Sequence, residues 1–175
     1  MLYNSTNIPE PDRSARRGRM TWSPMRMSLA AYLSPDRVKI LGGRTKQEVL
    51  REMIDLSCKS FPRIDCDELS KAIAHRESLM STGIGQGLAV PHARLGSVTD
   101  PMVVIGISKQ GVEGYESLDG APVQVILLIM AGKGQHEPYL RLLATALDVL
   151  KDQSLRTRII GSDTAEDAYR ALGGE

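Results

Sequence analysis

Residues 76–95 read "RESLMSTGIGQGLAVPHARL", and the order of features in that stretch decides what kind of unit surrounds it. Glycines recur at Gly83, Gly85 and Gly87. In a dinucleotide-binding unit the third glycine would come one residue later and a helix would follow the run. Here "LAVPH" follows, which suits a strand, and no Gly-Lys-Ser/Thr completes a Walker loop. The pattern predicts a helix, a glycine loop, and a strand-like segment that places His92 directly after Pro91.

Outward from this stretch the punctuation is regular. "RVKIL" (37–41) alternates like a short strand and is ended by Gly42 and Gly43. Thr45 and Glu48 have capping-box spacing, and Val49, Leu50, Met53, Ile54 and Leu56 then recur at helical period until Pro62. Asp65 and Glu68 repeat the capping signal before a second helix, with Leu69, Ile73, Arg76 and Met80 on one face. "MVVIGIS" (102–108) and "PVQVILLIM" (122–130) read as buried strands joined by a turn-rich connection containing Asp119-Gly120. A long helix is predicted over 135–152, with Leu140, Leu142, Leu143, Leu147 and Leu150 on or near its buried stripe; "SLRTRII" and a capped "SDTAEDAYRAL" follow as short helices. Strands interleaved with helices indicate a sheet covered by helices.

The loop has a chemistry of its own. Closely spaced glycines allow backbone N–H groups to be aimed at an anion. Ser81 and Thr82 add hydroxyl donors, Arg76 adds a guanidinium whose fork fits phosphoryl oxygens, and Pro91 stiffens the chain beside His92. An imidazole is nucleophilic near neutral pH. Together these groups suit a histidine that receives a phosphoryl group and holds it. No metal-ligand cluster accompanies them.

On Arg76-Glu77, Ser81-Thr82-Gly83-Ile84-Gly85, Gly87 and Pro91-His92, the stretch resembles the phosphorylation-site segment of enzyme IIA domains of the phosphoenolpyruvate-dependent sugar phosphotransferase system. The branch is the mannitol/fructose type, which includes nitrogen-related regulatory members. The resemblance extends more weakly over 28–172, through "LDGAPVQVILLIMA" and "YLRLLATALDVLKD". With the strand and helix order above, the expected fold is α/β: a three-layer α/β/α domain over 27–175, with a mixed parallel/antiparallel sheet flanked by helices. The resemblance implies that His92 accepts phosphate, at Nε2, from the phosphorylated histidine phosphocarrier protein. It also implies that Arg76 stabilises the phosphoryl group, that the acceptor is a IIB component or a regulatory target protein, and that no cofactor or metal is needed. Many members begin the leucine-rich helix with a second histidine. Aligning the leucines puts Tyr139 there, and His136, three residues earlier, is the alternative occupant. His75 is expected on the outer helix face.

Composition narrows the other possibilities. The 175 residues are 42% hydrophobic and 25% charged, with a net charge of +1, so bulk charge favours neither nucleic acid nor a membrane surface. Residues 1–26 carry Arg13, Arg16, Arg17, Arg19 and Arg26 against Glu10 and Asp12, and read as a disordered basic tail or loose leader, with Met27 as another candidate start. The longest apolar run, Val125–Ala131, is far short of the ~20 residues that span a bilayer. Without a secretory h-region, the expected location is the cytoplasm. Cys58 and Cys66 lie in a stretch that reads as helical and form no zinc or redox signature; so low a count fits a reducing compartment. Two other functions fit parts of the pattern: a regulatory module switched by the same histidine, and an anion- or nucleotide-binding domain that is never phosphorylated. The conjunction of Arg76, Ser81, Thr82, the glycines, Pro91 and His92 disfavours the latter.

Overall fold

The computed structural model describes residues 29–174; the basic segment 1–26 lies outside them. Six strands form one sheet: β1 (Val38–Ile40), β2 (Gly83–Gly85), β3 (Leu88–Ala89), β4 (His92–Leu95), β5 (Met102–Val112) and β6 (Val123–Gly132). Five α-helices, α1 (Lys46–Ser60), α2 (Cys66–Leu79), α3 (His136–Leu150), α4 (Gln153–Gly161) and α5 (Ala165–Ala171), and two short 3-10 helices, Leu29–Tyr32 and Pro35–Arg37, complete the described chain. The strand order is β1-β5-β6-β3-β2, and β4 also pairs with β6. β1 runs parallel to β5, and β3 and β4 run parallel to β6, whereas β5–β6 and β2–β3 are antiparallel. The sheet is mixed, as expected.

Alternation along the central strands explains the layers. In β5 and β6, Val103, Ile105, Ile107, Val125, Leu127 and Ile129 point into a core shared with Leu142, Ala146 and Leu150 of α3, Ile159 of α4 and Ala168 of α5. Their neighbours Val104, Ile126, Leu128 and Met130 face a second core with Val49 and Met53 of α1 and Leu69 and Ile73 of α2. A strand buried on both faces must be apolar at nearly every position, which is why 122–130 reads as a continuous run. Each fully buried Leu or Ile contributes about 1.5–3 kcal/mol. Gly106 is required by approach: a Cβ there would meet the Met53 thioether and would lie 2.8 Å from Leu41 Cδ1. α1 therefore rests directly on β5.

The capping signals are realised with one instructive change. Thr45 and Glu48 form a reciprocal capping box on α1. Asp65 caps α2 through the amides of Asp67 and Glu68, but the Glu68 carboxylate instead accepts from Gly96 N at 2.9 Å. That bond fastens the start of α2 to the end of β4.

Three expectations are corrected. α2 ends at Leu79, so Met80 leaves the buried face and is 67% exposed. Leu140 is 46% exposed, and Tyr139 holds the buried place beside it. The pair Cys58 and Cys66, expected to form no redox signature, is bonded. Pro62 separates α1 from α2, and the turn brings their Cα atoms to 5.9 Å, where the thiols are joined as a disulfide. Their separation in sequence concealed a contact that only the helical hairpin creates.

Candidate functional site

β3 and β4 pair with β6 in one continuous register, Leu88 opposite Val125 and His92 opposite Ile129, interrupted at Val90-Pro91. Pro91 has no N–H to give the ladder, but its carbonyl accepts from Ile129 N at 3.0 Å, so the chain stays on the sheet while pairing lapses. Ala93 and Leu95 turn into the core under α1 and α2. The strand's alternation therefore sends His92 and Arg94 to the opposite face, toward α3.

The ring of His92 is fixed by two contacts. Nδ1 lies 2.9 Å from the Val90 carbonyl, which can only accept, so Nδ1 carries the proton. Nε2 is left with its lone pair, and Arg76 Nε–H donates to it at 3.2 Å. Arg76 stands in the last turn of α2, where its Nη1 also donates to the Met80 carbonyl at 2.7 Å. The guanidinium thus caps the helix and reaches around the sheet edge to the imidazole. Positions 76 and 92, sixteen residues apart in sequence, are thereby brought into contact.

A hollow of about 210 Å³ opens beside this pair, lined by Arg76, Met80, Ser81, Thr82, Gly83, Ile84, Val90, His92, Leu118, Tyr139, Leu143 and Leu147. Ser81, Thr82 and Gly83 reach it; Gly85 and Gly87 are not among its walls. Those two glycines serve a hairpin. Gln86 and Gly87 join β2 to β3 with φ of +56° and +76°, the paired positive angles of a tight type I′ connection. Gly83 lets the 116–118 segment lie against it, since a Cβ would meet the Glu116 carbonyl. The hydroxyls are engaged as well: Ser81 Oγ donates to the Glu116 carbonyl at 2.6 Å, and Thr82 Oγ1 donates to Glu77.

Glu77 is the residue that sequence reasoning did not single out as a working part. Its carboxylate side chain is 7% exposed and takes the Thr82 hydroxyl, the Tyr115 hydroxyl at 3.3 Å and the Lys46 ammonium at 2.8 Å. Lys46 also lies 4.7 Å from the centre of the Tyr115 ring. Burial pushes the Tyr115 phenol well above its ordinary pKa, with the Glu77 charge adding to the shift and the Thr82 hydroxyl opposing it. This network ties α1, α2, the glycine loop and the 113–122 connection together directly behind Arg76. Its signal was the motif pair Arg76-Glu77, whose second member has a partner 31 residues upstream, as the ion pair shows.

The two candidates at the start of α3 separate. Tyr139 lines the hollow, its ring centre 5.7 Å from that of His92. His136 is exposed and does not line it; its Nδ1 accepts from Arg94 Nη2 at 2.8 Å. His75 is exposed on α2. Among the described residues there is no group of three or more His, Cys, Asp or Glu that could hold a metal ion, and no helix is long and apolar enough to cross a membrane.

Comparison with known proteins gives the family and the fold. The family described as phosphoenolpyruvate-dependent sugar phosphotransferase system, EIIA 2, matches residues 31–173. The chain is 34% identical over 143 residues to the PTS system fructose-specific EIIABC component of Bacillus subtilis, covering 81% of this chain but only 22% of that protein. It is 31% identical over 146 residues to the nitrogen regulatory protein of Pseudomonas aeruginosa, covering 82% of this chain and 94% of that protein. In fold it is similar to nitrogen regulatory protein IIA-Ntr from Neisseria meningitidis, with a TM-score of 0.72 at 23% identity over 82% of this chain and 98% of that one. It is also similar to a structure of the complex of enzyme IIAMTL and phosphorylated enzyme IIBMTL from Escherichia coli, with a TM-score of 0.67 at 20% identity over 82% and 98% of the two chains. With the family match spanning residues 31–173 and the fold shared with solved relatives, this chain belongs to the EIIA type 2 family of the phosphoenolpyruvate-dependent sugar phosphotransferase system.

Proposed function

We propose that this chain is a phosphoryl carrier in which His92 Nε2 accepts phosphate from a phosphorylated histidine phosphocarrier protein in the cytoplasm. The observation that carries this is the polarised imidazole: Nδ1–H held by the Val90 carbonyl, with the Nε2 lone pair facing Arg76. The Nε2 lone pair forms a bond to phosphorus as the donor's own P–N bond breaks in line. The bonding pair stays with the donor imidazole, which takes a proton from solvent. Such transfer needs positioning and charge complementarity more than covalent machinery. Arg76 exchanges its bond to Nε2 for one to a phosphoryl oxygen, and Ser81 and Gly83 flank the same hollow. Gly85 and Gly87 support the site by holding the hairpin in shape.

The relatives support two readings of the acceptor. A IIA protein of this fold is solved with its phosphorylated IIB partner, which supports a IIB component as recipient. The near-complete coverage of a nitrogen regulatory protein supports a second reading, in which the added charge on His92 alters binding to a regulatory target. Labelled phosphoenolpyruvate with the complete upstream relay tests the shared step. One acid-labile phosphate per chain, lost in His92→Ala, is expected; full labelling of that variant would overturn the assignment. Chase onto a IIB cysteine then identifies sugar relay, whereas partner capture that depends on phosphorylation without transfer identifies regulation.

A further inference from the structure

His92 has a second cation close by that the mechanism above leaves unused. Arg94 follows it by two positions on β4, on the same face, with Cα atoms roughly 7 Å apart at strand rise. Its guanidinium carbon lies over the Tyr139 ring, 5.1 Å from the centre, and the same ring is 5.7 Å from the imidazole, centre to centre. Among the described residues neither Arg94 nor Arg76 has a carboxylate partner. Arg76 donates to a carbonyl and to His92, and Arg94 donates to His136 Nδ1. Both guanidiniums lower the pKa of the Tyr139 hydroxyl against the larger upward effect of burial, so both fields reach the same point beside the imidazole. Arg76 lines the hollow and Arg94 lies over the Tyr139 ring that walls it, so two cations without carboxylate partners flank the imidazole and favour a dianion there.

We propose that Arg94 is a second phosphoryl-holding group, which leaves His136 when His92 is phosphorylated and donates to a phosphoryl oxygen across Tyr139 from Arg76. This rests on the phosphoryl-carrier reading above. The tether it gives up is a bond to a neutral ring nitrogen on an exposed side chain. The bond it gains is charged on both sides, whereas the one it gives up is charged on the Arg94 side alone. No covalent change occurs at Arg94; only its acceptor is exchanged.

The test uses the full chain as wild type, Arg94→Gln and Arg94→Lys, each checked for an unchanged melting temperature. Rapid-quench labelling from the phosphorylated phosphocarrier protein reads kcat and donor KM separately. Two-dimensional 15N–1H spectra read the Arg94 Nε–H and the His136 ring before and after labelling. Expected are a fall of about 10-fold or more in kcat for Arg94→Gln with donor KM within about twofold, partial recovery in Arg94→Lys, and joint movement of the Arg94 and His136 signals on phosphorylation. Wild-type kcat in Arg94→Gln, a change confined to KM, or Arg94 and His136 signals that stay together would overturn the proposal. If His92 is not labelled even in wild type, the carrier reading fails on its own account. A titration with inorganic phosphate then decides this one: joint shifts of the Arg76 and Arg94 signals support it, and silence at Arg94 overturns it.

Discussion

The rings of Tyr139 and His92 stand 5.7 Å apart, inclined at 43°, with the phenol walling the hollow into which Nε2 points. Burial holds the Tyr139 hydroxyl above its ordinary pKa even though Arg94 and Arg76 pull it down, so the phenol is a neutral O–H donor at physiological pH. Tyr139→Phe keeps the packing and removes that donor. Its labelling rate is expected to fall about 10-fold, the worth of one hydrogen bond to a charged acceptor, with the melting temperature held. Tyr139→Ala also empties a buried site, at a cost of about 3–5 kcal/mol. Rapid-quench labelling with thermal melts checks both, and wild-type rates in the Phe variant would show that the hydroxyl is idle.

Arg76 acts at two places at once, on the imidazole and on the Met80 carbonyl that ends α2. Arg76→Ala is expected to reduce labelling by about 100-fold, in line with loss of one charge-stabilising donor. Arg76→Lys restores charge but not the fork that spans both acceptors, so it recovers only part of the rate. Equal rates in the Lys variant and wild type would mean that a point charge suffices.

Glu77 predicts a stability phenotype separable from chemistry. Glu77→Gln keeps the shape but leaves Lys46 without its counter-charge and weakens the bonds from Thr82 and Tyr115. A loss of about 2 kcal/mol is expected in urea unfolding, below the full cost of breaking a deeply buried pair because Lys46 is partly exposed. The double variant Lys46→Met, Glu77→Gln should recover part of that loss, since it no longer strands a cation. A larger loss in the double variant would contradict this account.

The elements of this domain were legible because each follows from local rules: capping residues at Thr45 and Asp65, the doubly apolar run of β6, and the breaks at Pro62 and Gly42-Gly43. His92 and Arg76 stood out in the sequence through their residue chemistry and the resemblance of the 76–95 stretch, and the structure sets them within hydrogen-bond distance. The roles of Gly85 and Gly87 were not legible, because a glycine that supplies an amide to an anion and one that supplies a positive φ to a hairpin look alike in sequence. The same holds for Glu68, whose capping spacing is real but whose carboxylate goes to Gly96, and for Glu77, whose partners Lys46 and Tyr115 come from distant segments and join the nearby Thr82. Contacts that depend on how layers meet leave no local trace.

The cysteine pair is a second case of that kind, and it is testable. The link between Cys58 and Cys66 closes a loop eight residues apart in sequence, at the junction of α1 and α2. The chain-entropy relation for a loop of that size gives a stabilisation of about 2.5 kcal/mol. Reduction with dithiothreitol, or Cys58→Ser, is expected to lower the melting temperature by about 5–10 °C. Alkylation of both thiols in untreated native protein would show that the pair is not joined in solution.

Asp119 gives the hairpin beside the site a defined acid sensitivity. Its Oδ2 accepts from Gln86 N at 2.7 Å, and its Oδ1 accepts from Ala121 N and Ser117 Oγ, each at 3.0 Å. These donors, the Gln86 amide foremost, hold the carboxyl below its ordinary value of 3.8. A carboxyl whose folded pKa is depressed stabilises the fold fully above its unfolded value and loses that contribution as pH falls through the folded one. The window therefore opens near pH 3.8 and extends downward, with no effect expected at neutral pH. Gln86 sits at positive φ in the turn between β2 and β3, so protonating Asp119 releases the residue least suited to its own conformation. The Gln86 amide shift is expected to titrate with an apparent pKa below 3.8 in wild type and to stay flat in Asp119→Asn. A titration at or above the ordinary carboxylate value would mean that the clasp does not hold the loop in solution, and that Gly85 and Gly87 alone set its shape.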